Sequence, residues 1–457
     1  MFLKRLSYVA TAVSALLVSG YPALSQNHRI LLENFHFYDA ATESMLLADN
    51  MLIEDGIIKA FNYTDKCGDC ERINLEAGFL IPGLIDAHQH LSDGGFSKKN
   101  LEERIALYRR NLYWGITTTF DPNVRRGVMR GVKAAVRERP NDYPSYFAAG
   151  QSITIPGGWG DKKVTSFQEV RNTVNLALAS GSDAVKISFD DKSWLSSNPM
   201  QKFPLEWLEQ TIAYAHRLKR KVYVSATQAG DVEAALNAGV DGILQGTIDK
   251  QLSEETISKL RDSQTPYIST LSMFEAIADV QASVKEQQVF DPGNINTDLL
   301  YQNMGSDLMA TNWEDWWDKS RYLKAKLPVL RANTVMLVNN GALVGIGTDA
   351  GTPSVIFGAS LPYEMELHER IKIPPLKVLK LATLNNAQIL GIDEYTGSIT
   401  EGKEADLVYL TDNPAGGIRA LNSMVWVMQN GAKMFRREIL ENKDKPLPPK
   451  LVLPRAE

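Results

Sequence analysis

Cysteine is nearly absent from this chain: Cys67 and Cys70, in "DKCGDCE", are the only two among 457 residues. No second pair exists to complete a four-cysteine zinc site, and no thioredoxin-like unit surrounds the C-x-x-C. Half a zinc site and a redox pair stay open, but in an oxidising compartment a small structural loop disulfide is the expected fate. Basic tracts are absent too. A net charge of −5 without a basic tract makes a poor nucleic-acid binder, and none is expected as a partner. Long apolar runs are missing beyond the first residues, so no later segment can span a bilayer. The beginning, "MFLKRLSYVATAVSALLVSGYPALSQ", sets Lys4 and Arg5 before an apolar run and offers small residues at Ala23–Ser25. That layout predicts a signal peptide over residues 1–25; as a membrane anchor the run is short and broken by serines. The mature protein is expected to be soluble, exported to the periplasm or secreted, and free of the membrane after cleavage. Losing Lys4 and Arg5 with no acidic residue takes the net charge from −5 to −7.

What is present is apolar residue, 44% of the chain, enough for a large core and more than one domain. Short β-branched runs alternate with helical patterns between about residues 110 and 350. We read strands in "LIPGLIDAH", "GITTTFD", "YPSYFAAGQSI", "SDAVKISF", "KVYVSA", "GVDGILQG", "TPYISTL" and "ALVGIGTD". Eight successive βα units predict an α/β fold, a closed (β/α)8 TIM-like barrel over residues 81–395. An open doubly wound sheet is the alternative, disfavoured because no glycine-rich phosphate loop follows the first strand. Strand-and-turn patterns before and after the barrel predict one small composite β-sandwich, built from residues 26–80 and from residues 396–457 with their tail. An insertion over residues 290–320, rich in tryptophan, falls after the seventh strand and would lie over the barrel mouth as a lid. Its tryptophans would serve either substrate or their own packing.

Barrel chemistry gathers at the carboxyl ends of the strands. The stretch "GFLIPGLIDAHQH" ends in His88 and His90, which project to one side of a strand, about 7 Å apart along the backbone. Strand 4 brings Lys186 in "AVKISF", and strand 8 brings Asp349 in "GIGTDAG". Each has an ordinary explanation alone: a modest motif, a lysine paired with a carboxylate, an aspartate capping a turn. Together, two imidazoles and a carboxylate make a ligand set for one divalent metal with an open position.

The segments "IPGLIDAHQH", "GITTTFDP", "AVKISF", "GTDAG" and "ATLNNAQILGIDEYTGSITEGKEADLVYL" resemble the amidohydrolase superfamily, in its imidazolonepropionase-like and prolidase-like branch. The likeness runs in order from about residue 28 to 435. It implies a metal-bearing barrel with a composite β-sandwich, hydrolysing C–N bonds with metal-activated water. It implies further that Lys186 is carboxylated to give an oxygen ligand, and that Asp349 both binds metal and shuttles the proton of the attacking water. The departures are informative. Where the family has "VHAH" on strand 5, this chain has "VSAT", with Ser225 and Thr227. Strand 6 ends in Gln245 rather than histidine, and a "GGHG" loop reads "GGWG", with Trp159. His28, His36, His216 and His368 lie elsewhere, the last two as expected surface or packing residues. The resemblance therefore implies one retained ion, with zinc as the expected metal, on His88, His90, Lys186 and Asp349, and an empty second site.

The expected function is a metal-dependent amidohydrolase cleaving an amide, cyclic amide or dipeptide-like bond of a small-molecule substrate. Asp349 is the catalytic residue, with Ser225, Thr227, Gln245 and Trp159 lining the substrate cavity. The alternative is a catalytically silent barrel binding a small ligand or protein partner; a lyase or isomerase on the same barrel is a third. Nothing in the sequence assigns an oligomeric state.

Overall fold

Alternating apolar residues at the two ends of the chain build one sheet, and short, wholly buried runs in the middle build the barrel. The computed structural model describes residues 28–92, 99–195, 198–296, 313–352 and 354–441, with 313–319 and 441 described in backbone alone. The expected signal segment, and positions 297–312 of the expected lid, lie outside the described residues.

In chain order the strands are β1 (Arg29–Asp39), β2 (Ser44–Glu54), β3 (Ile57–Phe61), β4 (Glu71–Pro82), β5 (Leu84–Asp86), β6 (Ile116–Asp121), β7 (Ser145–Ala148), β8 (Ile153–Thr154), β9 (Lys162–Lys163), β10 (Ala184–Ser188), β11 (Lys221–Ser225), β12 (Gly242–Leu244), β13 (Tyr267–Ser269), β14 (Val344–Ile346), β15 (Leu407–Leu410), β16 (Met424–Gln429) and β17 (Ala432–Phe435). The termini meet in one seven-stranded sheet of order β17-β16-β15-β4-β1-β2-β3, mostly antiparallel, with β1 and β4 parallel. Ile30, Leu32, Phe35, Met51, Leu407, Trp426 and Met428 give it a core of its own. Beside it Cys67 and Cys70 are joined as a disulfide, with Cys67 packed on Leu31 and Leu52. Among the described residues no helix is long and apolar enough to cross a membrane.

All eight barrel strands fall inside the segments anticipated from sequence. β5, β6 and β7 pair in parallel, as do β10 through β14. Two backbone bonds close the ring: Asp183 N to Ala148 O at 2.7 Å joins β10 to β7, and Ala87 N to Ile346 O at 3.1 Å joins β5 to β14. Strands such as "AVKIS" are buried on both faces, between the filled barrel interior and the surrounding helices.

The β5–β14 seam has a side-chain latch. Asn386 Nδ2 donates to Ile85 O at 2.6 Å and Ile346 O at 2.7 Å, while its Oδ1 accepts from Ile346 N at 3.1 Å. Gly345 is needed beside it, since a Cβ there would collide with the Asn386 carboxamide. The motif "ATLNNAQ" thus sews the first strand to the last. Asn386→Ala is expected to destabilise the protein by about 2–4 kcal/mol, because buried backbone groups lose their partners. A lowered urea midpoint read by tryptophan fluorescence tests this, and an unchanged midpoint contradicts it.

Candidate metal centre

Strand geometry alone brings the "HQH" imidazoles together at the end of β5. His88 Nε2 and His90 Nε2 lie 3.2 Å apart, with the rings nearly perpendicular. The turn after β14 brings Asp349 against them, its Oδ1 3.0 Å from His90 Nε2 and 3.6 Å from His88 Nε2. All three side chains are buried. This close approach needs glycine. A Cβ on Gly347 would strike His88, and one on Gly351, at φ 101°, would strike the His90 backbone. With those contacts permitted, Thr348 N and Asp349 N both donate to His88 O, and His90 N donates to Ala350 O at 2.7 Å.

Two carboxylates unnoticed in the sequence hold the cluster. Asp121, at the end of β6, stands 3.3 Å from His90 Nδ1 and accepts from Leu91 N and the Tyr146 hydroxyl. Asp86 accepts from His88 N, Thr348 N and the Thr348 hydroxyl, tying the first strand end to the last. Burial lifts the Asp86 carboxyl to about 7. The sequence signal was their place at strand ends, in "LIDAH" and "TTTFDP".

The charge state suits a cation. Burial pushes His88 well below the usual histidine range, so its imidazole is neutral. Burial acts to raise Asp349, but the neighbouring imidazoles and the Gln245 amide outweigh it and leave the carboxyl well below its usual range. His90 meets a carboxylate at each ring nitrogen, Asp121 at Nδ1 and Asp349 at Nε2, so two imidazoles and a carboxylate converge on one buried point that holds a positive charge, as a proton or as a metal ion. One ligand atom from each of His88, His90 and Asp349 lies within 4.8 Å of the others, so the three residues can hold a metal ion.

The other expected site residues fall into place unequally. Lys186 is buried on β10, and burial draws its ammonium down to about 7, with Asp349 opposing and the charge of Lys192 adding. Gln245 donates Nε2 to Asp349 Oδ2 at 3.0 Å. Both partners of that bond have left-handed backbone, φ 74° for Gln245 and 57° for Asp349, a strained conformation for glutamine. Ser225 is buried at the end of β11, level with Ser188. The Thr227 hydroxyl is committed to Asp190 Oδ2 at 2.9 Å. Trp159 is 52% exposed and its ring faces the Lys192 ammonium rather than the imidazoles. The remaining histidines serve structure. His216 bonds Asp241 at the surface, and buried His368 bonds the Glu364 carbonyl one turn earlier in its helix.

Comparison with known proteins agrees with this geometry. The model of the amidohydrolase family matches residues 79–431. An uncharacterized protein of Methanocaldococcus jannaschii is 25% identical over 395 residues, covering 79% of this chain and 85% of that one. Ochratoxinase of Aspergillus niger is 24% identical over 313 residues, 65% of this chain; the match spans 53% of the ochratoxinase, about half its length. Among solved structures, a Xaa-Pro dipeptidase with methionine bound in its active site aligns with a TM-score of 0.73 at 21% identity, over 89% of this chain and all of that one. At that identity the likeness is one of fold.

Asp121→Asn is expected to lower the affinity for a divalent ion about 10- to 100-fold, since the carboxylate orients His90 and fixes its tautomer. Competitive titration with a chromophoric chelator measures it. An affinity equal to that of the unaltered protein would show that Asp121 has no such role.

Proposed function

The chain belongs to the amidohydrolase family, whose members are hydrolases acting on C–N bonds and use divalent metals, and on that premise we propose that it cleaves the amide, cyclic amide or dipeptide-like bond of a small molecule with one divalent ion, zinc by preference. The observation that carries this reading is the convergence of His88, His90 and Asp349 on one point. A barrel that merely bound a ligand has no need of two buried imidazoles aimed at one carboxylate within its mouth.

The residues divide the work. His88, His90 and Asp349 would hold the ion, which would supply Lewis-acid polarisation of a carbonyl and lower the pKa of water towards ~7. Asp349 accepts the proton of the attacking water and returns it to the leaving nitrogen. Gln245 fixes Asp349 Oδ2, and the Thr352 hydroxyl donates to Oδ1 at 3.1 Å, so the carboxylate keeps one orientation through both transfers. Lys186, buried and easily deprotonated, is suited to carboxylation, which would replace a repelling ammonium by an oxygen ligand. Serine and glutamine are weak neutral donors for a zinc-like ion, so Ser225 and Gln245 leave a second ion without imidazoles. Export is proposed from the "MFLKRL…ALSQ" leader pattern, and the Cys67–Cys70 disulfide is consistent with an oxidising compartment.

Elemental analysis of the purified protein is expected to find about one equivalent of zinc per chain, lost in His88→Ala. Chelation should abolish hydrolysis of a panel of N-acyl amino acids, dipeptides and lactams, and added Zn²⁺ or Mn²⁺ should restore it. Hydrolysis that survives both chelation and His88→Ala would sink the proposal. Installing histidine at both positions, Ser225→His with Gln245→His, should raise the metal content towards two; an unchanged content would contradict the single-site reading of strands 5 and 6.

A further inference from the structure

The loop after β10 buries a second lysine that the hydrolytic machinery does not use. Lys192 is only 7% exposed, and among the described residues its Nζ makes no hydrogen bond to protein. The nearest carboxylate oxygen, Asp190 Oδ2, is 3.8 Å away, beyond hydrogen-bond distance. Asp190 does not depend on the ammonium either. It already accepts from Lys192 N at 2.7 Å, Trp194 Nε1 at 3.0 Å and the Thr227 hydroxyl at 2.9 Å. The ammonium sits instead between two indoles, 4.8 Å from the ring centre of Trp159 and 4.8 Å from that of Trp194. Aromatic faces attract a cation but accept none of its three N–H bonds.

The position is tied to the metal centre. Thr227, at the mouth end of β11, is the residue bonded to Asp190, and the Lys192 charge is felt by both His88 and Lys186. Lys192 also has left-handed backbone, φ 56°, held by the hydrogen bond of its own N–H to Asp190. The wall on its outer side comes from "GGWG". A Cβ on Gly158 would collide with Thr154, and Gly160 turns at φ 132°, so this tight loop sets Trp159 over the ammonium with half its surface in water. A lysine whose stem is buried, whose ammonium has no protein hydrogen-bond acceptor among the described residues and is reached from solvent past one indole, is placed to receive an anion.

We propose that Lys192, walled by Trp159 and Trp194, is a subsite for a free carboxylate on the substrate, so that the substrate class is the N-acyl amino acid or dipeptide rather than the neutral amide or lactam. This rests on the hydrolytic reading for the word substrate. The subsite itself is a binding feature and is testable without turnover. The carboxylate oxygens take the N–H bonds that Asp190 leaves unmade, and the apolar part of the same residue lies along the indoles.

The test is calorimetric titration of the zinc-loaded protein with N-acetyl derivatives of glycine, leucine, phenylalanine and proline, each as free acid and as primary amide. At least one acid is expected to bind tenfold or more tightly than its amide, and Lys192→Met is expected to reduce that ratio to less than threefold. Lys192→Gln replaces it should the methionine variant fail to fold, as judged by melting temperature and zinc content. Equal binding of acids and amides, no binding by any acid, or a ratio that survives in the neutral variant overturns the subsite; the last outcome would give the acid's preference to the metal. Hydrolysis is assayed separately on the same pairs. Turnover without acid preference sinks the subsite alone, whereas acid preference lost with Lys192 in a protein that hydrolyses nothing sinks the reaction and leaves the subsite standing.

Discussion

Two imidazole nitrogens and a carboxylate oxygen forced to face one another in a buried mouth are the constraint on which the rest of this molecule depends. Two imidazoles and a carboxylate are tolerable so close together there only with a positive charge among them, a metal ion or a shared proton. Much of the surrounding architecture keeps that confrontation in place. The Gly347 and Gly351 backbones lie where a side chain could not, so that the turn carrying Asp349 can lean on the His88–His90 segment. Asp86 ties the same two strand ends from behind, and Asp121 holds His90 from the far side. Just below them, Asn386 fastens β5 to β14 through Ile85 and Ile346.

Charge bookkeeping explains why this mouth differs from a two-ion arrangement. Ser225 and Gln245 stand where the superfamily resemblance implies imidazoles, and Gln245 has become a support for Asp349 through its amide. On the proposed single-ion reading, the mouth has less positive charge for substrate binding than a two-ion one. Lys192 stands nearby, its ammonium placed by a left-handed backbone and two indoles rather than by a ligand set. A lysine is a point charge that binds and orients an anion, whereas a metal ion also activates water. The proposed ion and the Lys192 ammonium would therefore suit different tasks on one substrate.

The barrel was legible in the sequence because a parallel strand buried on both faces is a short apolar run, and each of the eight runs is bounded by helical periodicity or turn residues. His88, His90, Lys186 and Asp349 were singled out because barrel side chains converge at strand ends, and the structure brings the ligand atoms of His88, His90 and Asp349 together. Asp86 and Asp121 were not singled out, although they lie on the same strand ends. A lone carboxylate in "LIDAH" or "TTTFDP" carries no signal of whom it will meet until the strands are ordered in space. Lys192 was invisible for a stronger reason. It lies in a loop without periodicity, and its two tryptophans come from positions 33 residues before it and 2 after it, so only the fold unites them. Trp159 was expected as a wall of the cavity, and the structure gives it a more specific neighbour, the Lys192 ammonium.

Anomalous X-ray diffraction above and below the zinc absorption edge, from crystals of the zinc-loaded protein, tests the account most directly. One anomalous peak per chain, within coordination distance of His88 Nε2, His90 Nε2 and Asp349, is the result predicted, with no second peak beside Ser225 and Gln245. Absence of any peak there, with the imidazoles bonded directly to the carboxylate as imidazolium, would contradict it.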